Sequence, residues 1–455
     1  MLEDTIIAVS TPLGYGGLGV VRLSGSRAFD ISLEIFQPKT HRRRIPPRQP
    51  ILGNLCDPRT EEPFEEAMLT YHPGPRSYTT EDVVEISTHG SPVLLEEVVR
   101  LGLAAGARHA HPGEFTLRAF LGGRIDILQA EAVNDLIRAS SLHQAKISFR
   151  QLDGSLSRRI TELRRRIIHL LSQIEASIEF PDEGLRISLQ VIARTLRRSL
   201  ETVSGLIRSY DLGKTFREGT VLAVTGRTNS GKSTLFNLLL DHERSIVTPF
   251  PGTTRDYIRE QMKIEDAVFT LVDTAGLDAA AESIEKEGIR RGRELATRAD
   301  GILLLLDASR LESEEDLTLI RRFKHKQTLL LWNKTDLPQK IRAERIRNAA
   351  GNLPQLKISA LKGTNLTQLK QKIHSLFVPD RDAGEEVILH LRQKLVLEEI
   401  QTSLETALGV LEEGRSEEFL AEELRPVLSL IGQLTGEIRA DDILEDIFGR
   451  FCVGK

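Results

Sequence analysis

The pattern of hydrophobic and polar positions divides the chain into stretches of different texture. In residues 1–118, Gly and Pro separate short runs rich in β-branched residues, such as "TIIAV", "GVVRLSG" and "DVVEIST". Runs of this kind, bounded by turn-forming residues, are typical of β-strands. We therefore predict a compact α+β domain for residues 1–118.

A helical texture follows in residues 119–217, where Gly and Pro become sparse and apolar residues recur at helical spacing. One apolar stripe comprises Ile160, Leu163, Ile167, Leu170, Leu171 and Ile174. Residues 380–455 return to the same texture after the Pro/Gly/acidic hinge "VPDRDAGEE" and end in "FCVGK". We predict that these two helical stretches pack together as one discontinuous α-helical domain.

Residues 218–379, between the helical stretches, alternate apolar strands with helix-like segments. The strand-like runs are "TVLAVTG", "VFTLVDT", "GILLLLDA", "QTLLLWNK" and "QLKISA". This alternation predicts a parallel sheet covered by helices. An inserted domain of this kind is tolerated when its two ends lie close together. The chain is thus predicted to be multidomain, with an α/β unit inserted into the helical domain.

Length and net charge refine this organisation only slightly. The 455 residues correspond to about three domains, at roughly 150 residues each. The formal net charge of −4 provides no long-range attraction for nucleic acid, so any RNA contact must come from a local basic patch. Candidate patches are "HRRRIPPR" and "RRITELRRR", for which a solvated surface is the competing interpretation.

Cysteine content and apolar run lengths indicate the compartment. The two cysteines, Cys56 and Cys452, lie far apart, which argues against a disulfide framework and for a reducing cytosol. The acidic N-terminus lacks the apolar core of a signal peptide. The longest apolar runs, such as Ile302–Leu306, are too short to span a bilayer. We expect a soluble cytoplasmic protein without membrane contact.

The segment "GRTNSGKSTLFNLLL" carries the spacing of a phosphate-binding loop between a predicted strand and a predicted helix. Gly226 and Gly231 let the backbone bend so that successive N–H groups face phosphates. The helix that starts near Lys232 adds its positive N-terminal end. We expect Lys232 to reach the β- and γ-phosphates and the Ser233 hydroxyl to bind Mg²⁺.

Further motifs follow in order and identify the nucleotide. "DTAG" and "NKTD" each close a predicted strand, and the Asp336 carboxylate of the second can accept two hydrogen bonds from guanine, a donor pair that adenine lacks. "SAL" can offer backbone N–H groups to guanine O6, and Thr254 in "TPFPGTTRD" is a second candidate Mg²⁺ ligand. These motifs predict a GTP-binding domain. The predicted GTP-binding residues are Asn229, Ser230, Gly231, Lys232, Ser233, Thr234, Thr248, Pro249, Phe250, Pro251, Gly252, Thr253, Thr254, Asp273, Thr274, Ala275, Gly276, Asn333, Lys334, Asp336, Ser359 and Ala360.

The position after "DTAG" is unusual for such a site. Many Ras-type domains carry there a Gln that orients the attacking water, but Leu277 can neither donate nor accept a hydrogen bond. Another group must orient water and neutralise charge. The candidates are a cation held by Asn229 and the 248–254 loop, and the carboxylates Glu282, Glu285 and Glu287, each of which could equally lie on a solvated helix face.

The whole chain resembles the bacterial MnmE (TrmE) family of tRNA-modifying GTPases. The resemblance is carried by "DTIIAVSTPLGYGGLGVVRLSG", "HPGEFTLRAFLGGRIDILQAEAVNDLI", "FPGTTRDYIRE" and the terminal "FGRFCVGK". It implies an N-terminal folate-binding-type domain that dimerises, a helical domain and an inserted Ras-like G domain. It also implies hydrolysis switched on when G domains meet across the homodimer around a potassium ion.

The same resemblance implies a partner and a reaction. With the flavoprotein MnmG, in a heterotetramer, the family installs a carboxymethylaminomethyl-type group on the wobble uridine of certain tRNAs. The one-carbon unit comes from a tetrahydrofolate derivative, in its 5-formyl or 5,10-methylene form.

Residue roles carried over from the family by position cover three sites. The implied potassium ligands are Asn229, Thr248, Phe250 and Thr253, and the implied folate-binding residues are Arg22, Glu81, Arg124 and Lys455. Glu285 falls on the catalytic glutamate, and Cys452 lies in a C-terminal element that matters for tRNA modification, although a packed small hydrophobe is the competing interpretation. Two departures stand out: Asp278 replaces a frequent basic residue, and Arg124 replaces a common Lys.

Two other functions compete with a tRNA-modifying enzyme. One is a regulatory GTPase that acts as a ribosome-assembly switch. The other is a folate-binding module with a vestigial GTPase, which conflicts with the intact Lys232, Ser233, Asp273 and Asp336.

Overall fold

A computed structural model describes residues 4–39, 45–180, 187–243, 259–265, 267–273, 299–378, 387–438, 444, 447–449 and 451–455. It separates into two compact units. The first comprises Met1–Asn134, Gln151–Leu200 and Glu399–Lys455, and the second comprises Asp135–Arg150 and Glu201–Glu398.

The first unit begins with a mixed sheet and three helices. Its elements are β1 (Ile6–Val9), β2 (Gly16–Ser24), α1 (Ala28–Ile35), β3 (Phe36–Pro38), β4 (Ile51–Cys56), β5 (Pro63–His72), β6 (Val83–Gly90), α2 (Pro92–Ala104), β7 (Arg108–His109) and α3 (Glu114–Leu121). The seven strands are ordered β3-β4-β5-β6-β2-β1-β7, and only the β1–β7 pair is parallel. The buried side chains of α1 and α2 pack with those of the strands in one core, which confirms the α+β prediction.

Four helices follow this sheet in sequence. They are α4 (Ile127–Ile137), α5 (Leu142–Leu152), α6 (Ser155–Glu179) and α7 (Leu189–Glu218). All six residues of the predicted stripe are buried on α6, and α6 packs along a later helix, α13 (Glu417–Thr435). The apolar spacing therefore marks the buried face of α6, as helical periodicity predicts.

The second unit contains the inserted α/β fold. Its elements are β8 (Thr220–Gly226), α8 (Lys232–Glu243), β9 (Arg259–Ile264), β10 (Ala267–Asp273), β11 (Gly301–Asp307), α9 (Glu314–Phe323), β12 (Thr328–Asn333), α10 (Ala343–Ala350), β13 (Gln355–Lys357) and α11 (Leu366–Phe377), followed by the long helix α12 (Leu391–Glu412). The strand order is β13-β12-β11-β8-β10-β9, and every pair is parallel except β9–β10.

The run "GILLLLDA" shows why this sheet is covered on both faces. On β11, Leu303 and Leu305 belong to one buried cluster, whereas Ile302, Leu304 and Leu306 belong to another. Alternate residues of a strand point to opposite faces, so a continuous apolar run fits a strand with helices on both sides. The predicted α/β class is confirmed.

The predicted domain boundaries stay predictions. The position after residue 118 falls inside α3, and the position after residue 217 falls at the last residue of α7. None of the helices in the described part of the chain is both long and apolar enough to cross a bilayer.

Candidate functional site

The phosphate-binding loop joins the end of β8 to the start of α8, as its sequence predicts. Gly231 has a φ of +99°, and a Cβ at this position would lie 2.3 Å from Asn333 Nδ2. Only glycine fits there, because both the backbone angle and the space exclude a side chain. The sharp turn aims the first N–H groups of α8 into the loop, which is the geometry that binds anions.

Polar groups of the loop suit a phosphate chain. The Lys232 ammonium donates hydrogen bonds to the carbonyls of Gly226 (2.9 Å) and Arg227 (3.3 Å), so its charge is held over the loop. The Ser230 hydroxyl is buried and has no hydrogen-bond partner among the described residues. Ser233 and Thr234 lie exposed in the first turn of α8. These residues fit a nucleotide phosphate chain.

Asn333 fastens the "NKTD" and "SAL" segments to this loop. Its Nδ2 donates to the Ser230 carbonyl (2.8 Å), and its Oδ1 accepts from the Ala360 N–H (2.9 Å). The side chain is buried, so both bonds are shielded from water. Three segments that are far apart in sequence are thereby locked into one site.

Lys334 and Asp336 lie at the predicted base-reading end of the site. The Lys334 ammonium donates to the Asn229 carbonyl (2.7 Å) and to Asp307 Oδ2 (2.7 Å). Asp336 is exposed, and its Oδ1 accepts a hydrogen bond from the Ser359 hydroxyl (2.6 Å). That bond lowers the pKa of the Asp336 carboxyl below its usual value, which keeps it an acceptor.

Part of the predicted nucleotide site lies outside the described residues. This applies to Thr248, Pro249, Phe250, Pro251, Gly252, Thr253, Thr254, Thr274, Ala275, Gly276 and Glu285. The backbone of Asp273 ends β10 beside β8, where the prediction puts it. Of the predicted potassium ligands, the described residues include Asn229, whose φ of +63° belongs to the left-handed region that Asn tolerates.

The first unit brings together the predicted folate residues around the 77–81 segment. The guanidinium carbons of Arg22 and Arg124 lie 5.7 Å and 5.3 Å from the centroid of the Tyr78 ring. Arg124 is exposed and also donates to the Ser77 carbonyl. The Ser77 hydroxyl in turn donates to the backbone carbonyl of Glu81. Both arginines therefore contact the short segment that carries Glu81.

Arg22 also contacts the C-terminus. Its guanidinium binds Glu85 Oε1 (2.7 Å) and donates to the Gly454 carbonyl (3.4 Å), which accepts a second bond from the Ser10 hydroxyl (3.1 Å). Burial, together with the Arg22 charge, lowers the pKa of the Lys455 ammonium. The last residues thus lie against β1 and β2, beside Arg22.

Cys452 is exposed, although its neighbour Phe451 is buried in a cluster with Phe120 and Phe448. The interpretation of Cys452 as a packed hydrophobe is therefore wrong. Its carbonyl accepts a hydrogen bond from the Gly113 N–H (3.4 Å), which helps to hold the segment in place. Cys56 is a buried free thiol.

Sequence reasoning missed several polar residues that the fold adds to these sites. They are Ser24, Tyr78, Arg118 and Asp307. One signal was available: Glu114 and Arg118 are spaced four apart in "HPGEFTLRAF", which places them on one helix face. The others reach the predicted site residues through long-range contacts.

The comparisons with known proteins cover the whole chain. The family model described as "MnmE helical domain" matches residues 127–452, and the model described as "GTP-binding protein TrmE N-terminus" matches residues 5–124. The curated tRNA modification GTPase MnmE of Syntrophus aciditrophicus (strain SB) is 39% identical over 457 residues, and that of Clostridioides difficile (strain 630) is 37% identical over 459. Both alignments cover 100% of either chain.

Solved structures match part of the chain. An Era variant from Aquifex aeolicus bound to GDP·AlF4⁻ is 27% identical and covers 40% of this chain and 66% of its own, with a TM-score of 0.29. The G domain of the T. maritima FeoB iron transporter is 25% identical and covers 34% of this chain and 98% of its own, with a TM-score of 0.26.

The sheet order, the phosphate-binding loop and the base-reading segments define a P-loop GTPase fold, carried here with an α+β domain and long helices. More particularly, the full-length matches show that the chain belongs to the MnmE family of tRNA modification GTPases.

Proposed function

We propose that this protein hydrolyses GTP and, together with MnmG, forms the 5-carboxymethylaminomethyl-type modification of the wobble uridine in certain tRNAs. One observation supports it most: a single chain carries both the guanine-type site of Asn333 and Asp336 and the charged site around Glu81. A regulatory switch needs the first site only.

In the nucleotide site, Lys232 neutralises phosphate charge and Ser233 with Thr254 holds Mg²⁺. Bound GTP supplies the bond that is broken, while Mg²⁺ and K⁺ neutralise charge on its phosphates. The Asp336 carboxylate selects guanine. Glu285 orients the attacking water, because Leu277 stands where many Ras-type domains have the Gln that does so. Asn229, Thr248, Phe250 and Thr253 hold the potassium ion. Closure of two G domains across a homodimer completes this site.

In the N-terminal site, Glu81 accepts hydrogen bonds from the donor edge of a pterin ring, which resembles that of guanine. Arg22, Arg124 and Lys455 attract the anionic glutamate tail of the tetrahydrofolate derivative. The side chains of Arg22 and Glu81 are only 15% and 20% exposed, which distinguishes them from ordinary surface charges. Cys452 acts in the modification step rather than in GTP hydrolysis. The protein works in the cytoplasm, in a heterotetramer with MnmG.

The decisive test is nucleoside analysis of bulk tRNA from cells that lack this protein. Such cells should lose the modified wobble uridine and regain it with the unsubstituted gene. Neither Lys232→Ala nor Glu81→Gln should restore it, because each removes one of the two sites. Normal wobble uridine in the deleted cells would instead favour a ribosome-assembly switch.

A further inference from the structure

An ion-pair cluster includes Glu81; within it, Arg118 and Glu114 are buried, whereas the side chains of Asp4 and Arg108 are partly exposed. Its members are Asp4, Glu81, Arg108, Glu114 and Arg118. By formal charge, three carboxylates face two guanidiniums. The proposed function assigns a role to Glu81 alone, so the purpose of the other four is open.

The register of the first sheet explains why the cluster forms. One row of paired residues crosses four strands, from Arg108 on β7 through Ile6 on β1 and Ser24 on β2 to Val83 on β6. Asp4 and Glu81 each precede a member of this row by two residues, so both carboxylates come to the same edge of the sheet. Helix α3 adds Glu114 and Arg118, one turn apart.

Arg118 is the member that connects Glu81 to the rest. Its side chain is 2% exposed. Nη1 donates to Glu81 Oε2 (3.0 Å), to Glu81 Oε1 (3.3 Å) and to the Asp4 carbonyl (2.9 Å). Nη2 donates to Asp4 Oδ1 (2.8 Å) and to Glu114 Oε1 (2.9 Å). Arg108 binds Asp4 and Glu114, and among the described residues none of its hydrogen bonds reaches Glu81.

Glu81 is consequently held from two directions. The Ser24 hydroxyl donates to the same Oε2 atom (2.8 Å) that accepts from Arg118. A carboxylate fixed in this way loses little rotational freedom when a ligand binds, and pre-organisation of this kind raises affinity. The guanidinium itself is fixed because Asp4 and Glu114 occupy its second arm.

Glu114 and Arg118, the groups that anchor Glu81, stay ionised. Burial raises the pKa of the Glu114 carboxyl, but hydrogen bonds from Arg108, the His111 N–H and Arg118 outweigh it and hold that pKa below its usual value. Burial likewise lowers the pKa of the Arg118 guanidinium, and its bonds to Glu114 and Glu81 reverse the effect. The anchor is therefore a persistent ion pair.

We infer that Arg118 is a positioning residue for the Glu81 carboxylate. It orients Glu81 so that both carboxylate oxygens can accept hydrogen bonds from the paired donors of a pterin ring. This role rests on the folate site proposed above. A purely structural ion pair would look similar in the fold, but it would respond differently to substitution.

The test measures the Kd of 5-formyl-tetrahydrofolate by titration calorimetry on the full-length protein. Arg118→Gln should weaken binding by about tenfold to a hundredfold, the usual worth of hydrogen bonds to a charged group. Arg118→Lys should restore part of the loss, because it keeps the charge but not the planar fork. In the Glu81→Gln background, Arg118→Gln should add no further loss, since the group it positions is already gone.

Arg108→Gln is the matched control, because it breaks the same cluster without touching Glu81. It should leave the Kd within about twofold, and the thermal unfolding of the N-terminal domain, followed by circular dichroism, reports folding of each variant. Two results would overturn the positioning role alone. One is an equal loss of folate affinity in Arg108→Gln and Arg118→Gln. The other is a further loss from Arg118→Gln in the Glu81→Gln background. If the Arg118→Gln variant does not fold, the Kd of Arg118→Lys is compared with the Kd of Arg108→Lys instead. Absence of folate binding to the unsubstituted protein would overturn the folate site and this role with it.

Discussion

Asp336 offers its carboxylate from an exposed position, with one oxygen already accepting from Ser359. A carboxylate can accept from guanine N1–H and N2–H₂ together, whereas a carboxamide offers one acceptor and one donor. The choice of base should therefore depend on this single side chain.

Asp336→Asn should move the base preference from guanine towards xanthine. We expect kcat/KM for GTP to fall by about 10²-fold, since bonds to a charged group are lost, and xanthosine triphosphate to become the better substrate. Steady-state turnover of both nucleotides measures the change. Asp211→Asn, at an exposed site on α7, is the control. Retained preference for GTP would show that another group reads the base.

Cys452→Ser should separate the two proposed activities. The thiol is exposed at the C-terminal element, so the substitution leaves the buried Phe451 contacts intact. GTP turnover should stay unchanged, while modified wobble uridine should fall at least about tenfold in complemented cells if the thiol takes part in the chemistry. Cys56→Ala, at the buried thiol, controls for general loss of cysteine. Full modification by Cys452→Ser would rule out a chemical role for this thiol.

At the scale of elements, the C-terminal segment depends on one glycine. Gly454 has a φ of +93°, and a Cβ there would lie 2.1 Å from the Val9 carbonyl on β1. The close approach lets the Gly454 carbonyl accept from Ser10 and Arg22. Any side chain must push the segment away from β1 and β2.

Gly454→Ala should therefore loosen the segment. We expect a local cost of about 1–3 kcal/mol, from the strained backbone angle and the displaced hydrogen bonds. Hydrogen exchange of the amides around Phe451 should speed up, and tRNA modification should fall while GTP turnover persists. Gly414→Ala tests the backbone angle alone, because its φ is +70° and nothing lies within 4 Å of its Cβ. Equal effects of the two substitutions would mean that contact with β1 is unimportant.

At the scale of the whole molecule, the proposed hydrolysis needs groups that one G domain does not supply by itself. Leu277 cannot orient water, and an external cation beside the phosphates can neutralise developing charge. Turnover should then depend on both the monovalent ion and self-association.

GTP turnover should be about 10²-fold faster in potassium than in sodium, because the smaller ion fits the proposed ligand set poorly. In potassium, turnover per protein should also rise with protein concentration. Asn229→Gly, which removes the proposed side-chain ligand but tolerates φ of +63°, should lose the potassium effect and keep GTP binding. Equally fast GTP turnover by a strictly monomeric protein without any alkali-metal ion would contradict this account.

Contiguous features of the fold were predictable from sequence. The strand "GILLLLDA", the stripe on α6 and the phosphate-binding loop each depend on residues a few positions apart, and all occur as predicted. The hydrogen bond from Asn333 to Ser230, which locks the nucleotide site together, joins residues 103 positions apart and leaves no local pattern.

The sequence by itself determined the secondary structure, the nucleotide class and the family, because spacing along the chain fixes which side chains share a face and which backbone angles are allowed. Only the tertiary structure decided that Asp4, Glu81 and Arg118 meet behind the proposed folate site and that the last residues lie on β1. Those contacts follow from the strand order β6-β2-β1-β7 and its register, which bring distant charges to one edge of the sheet.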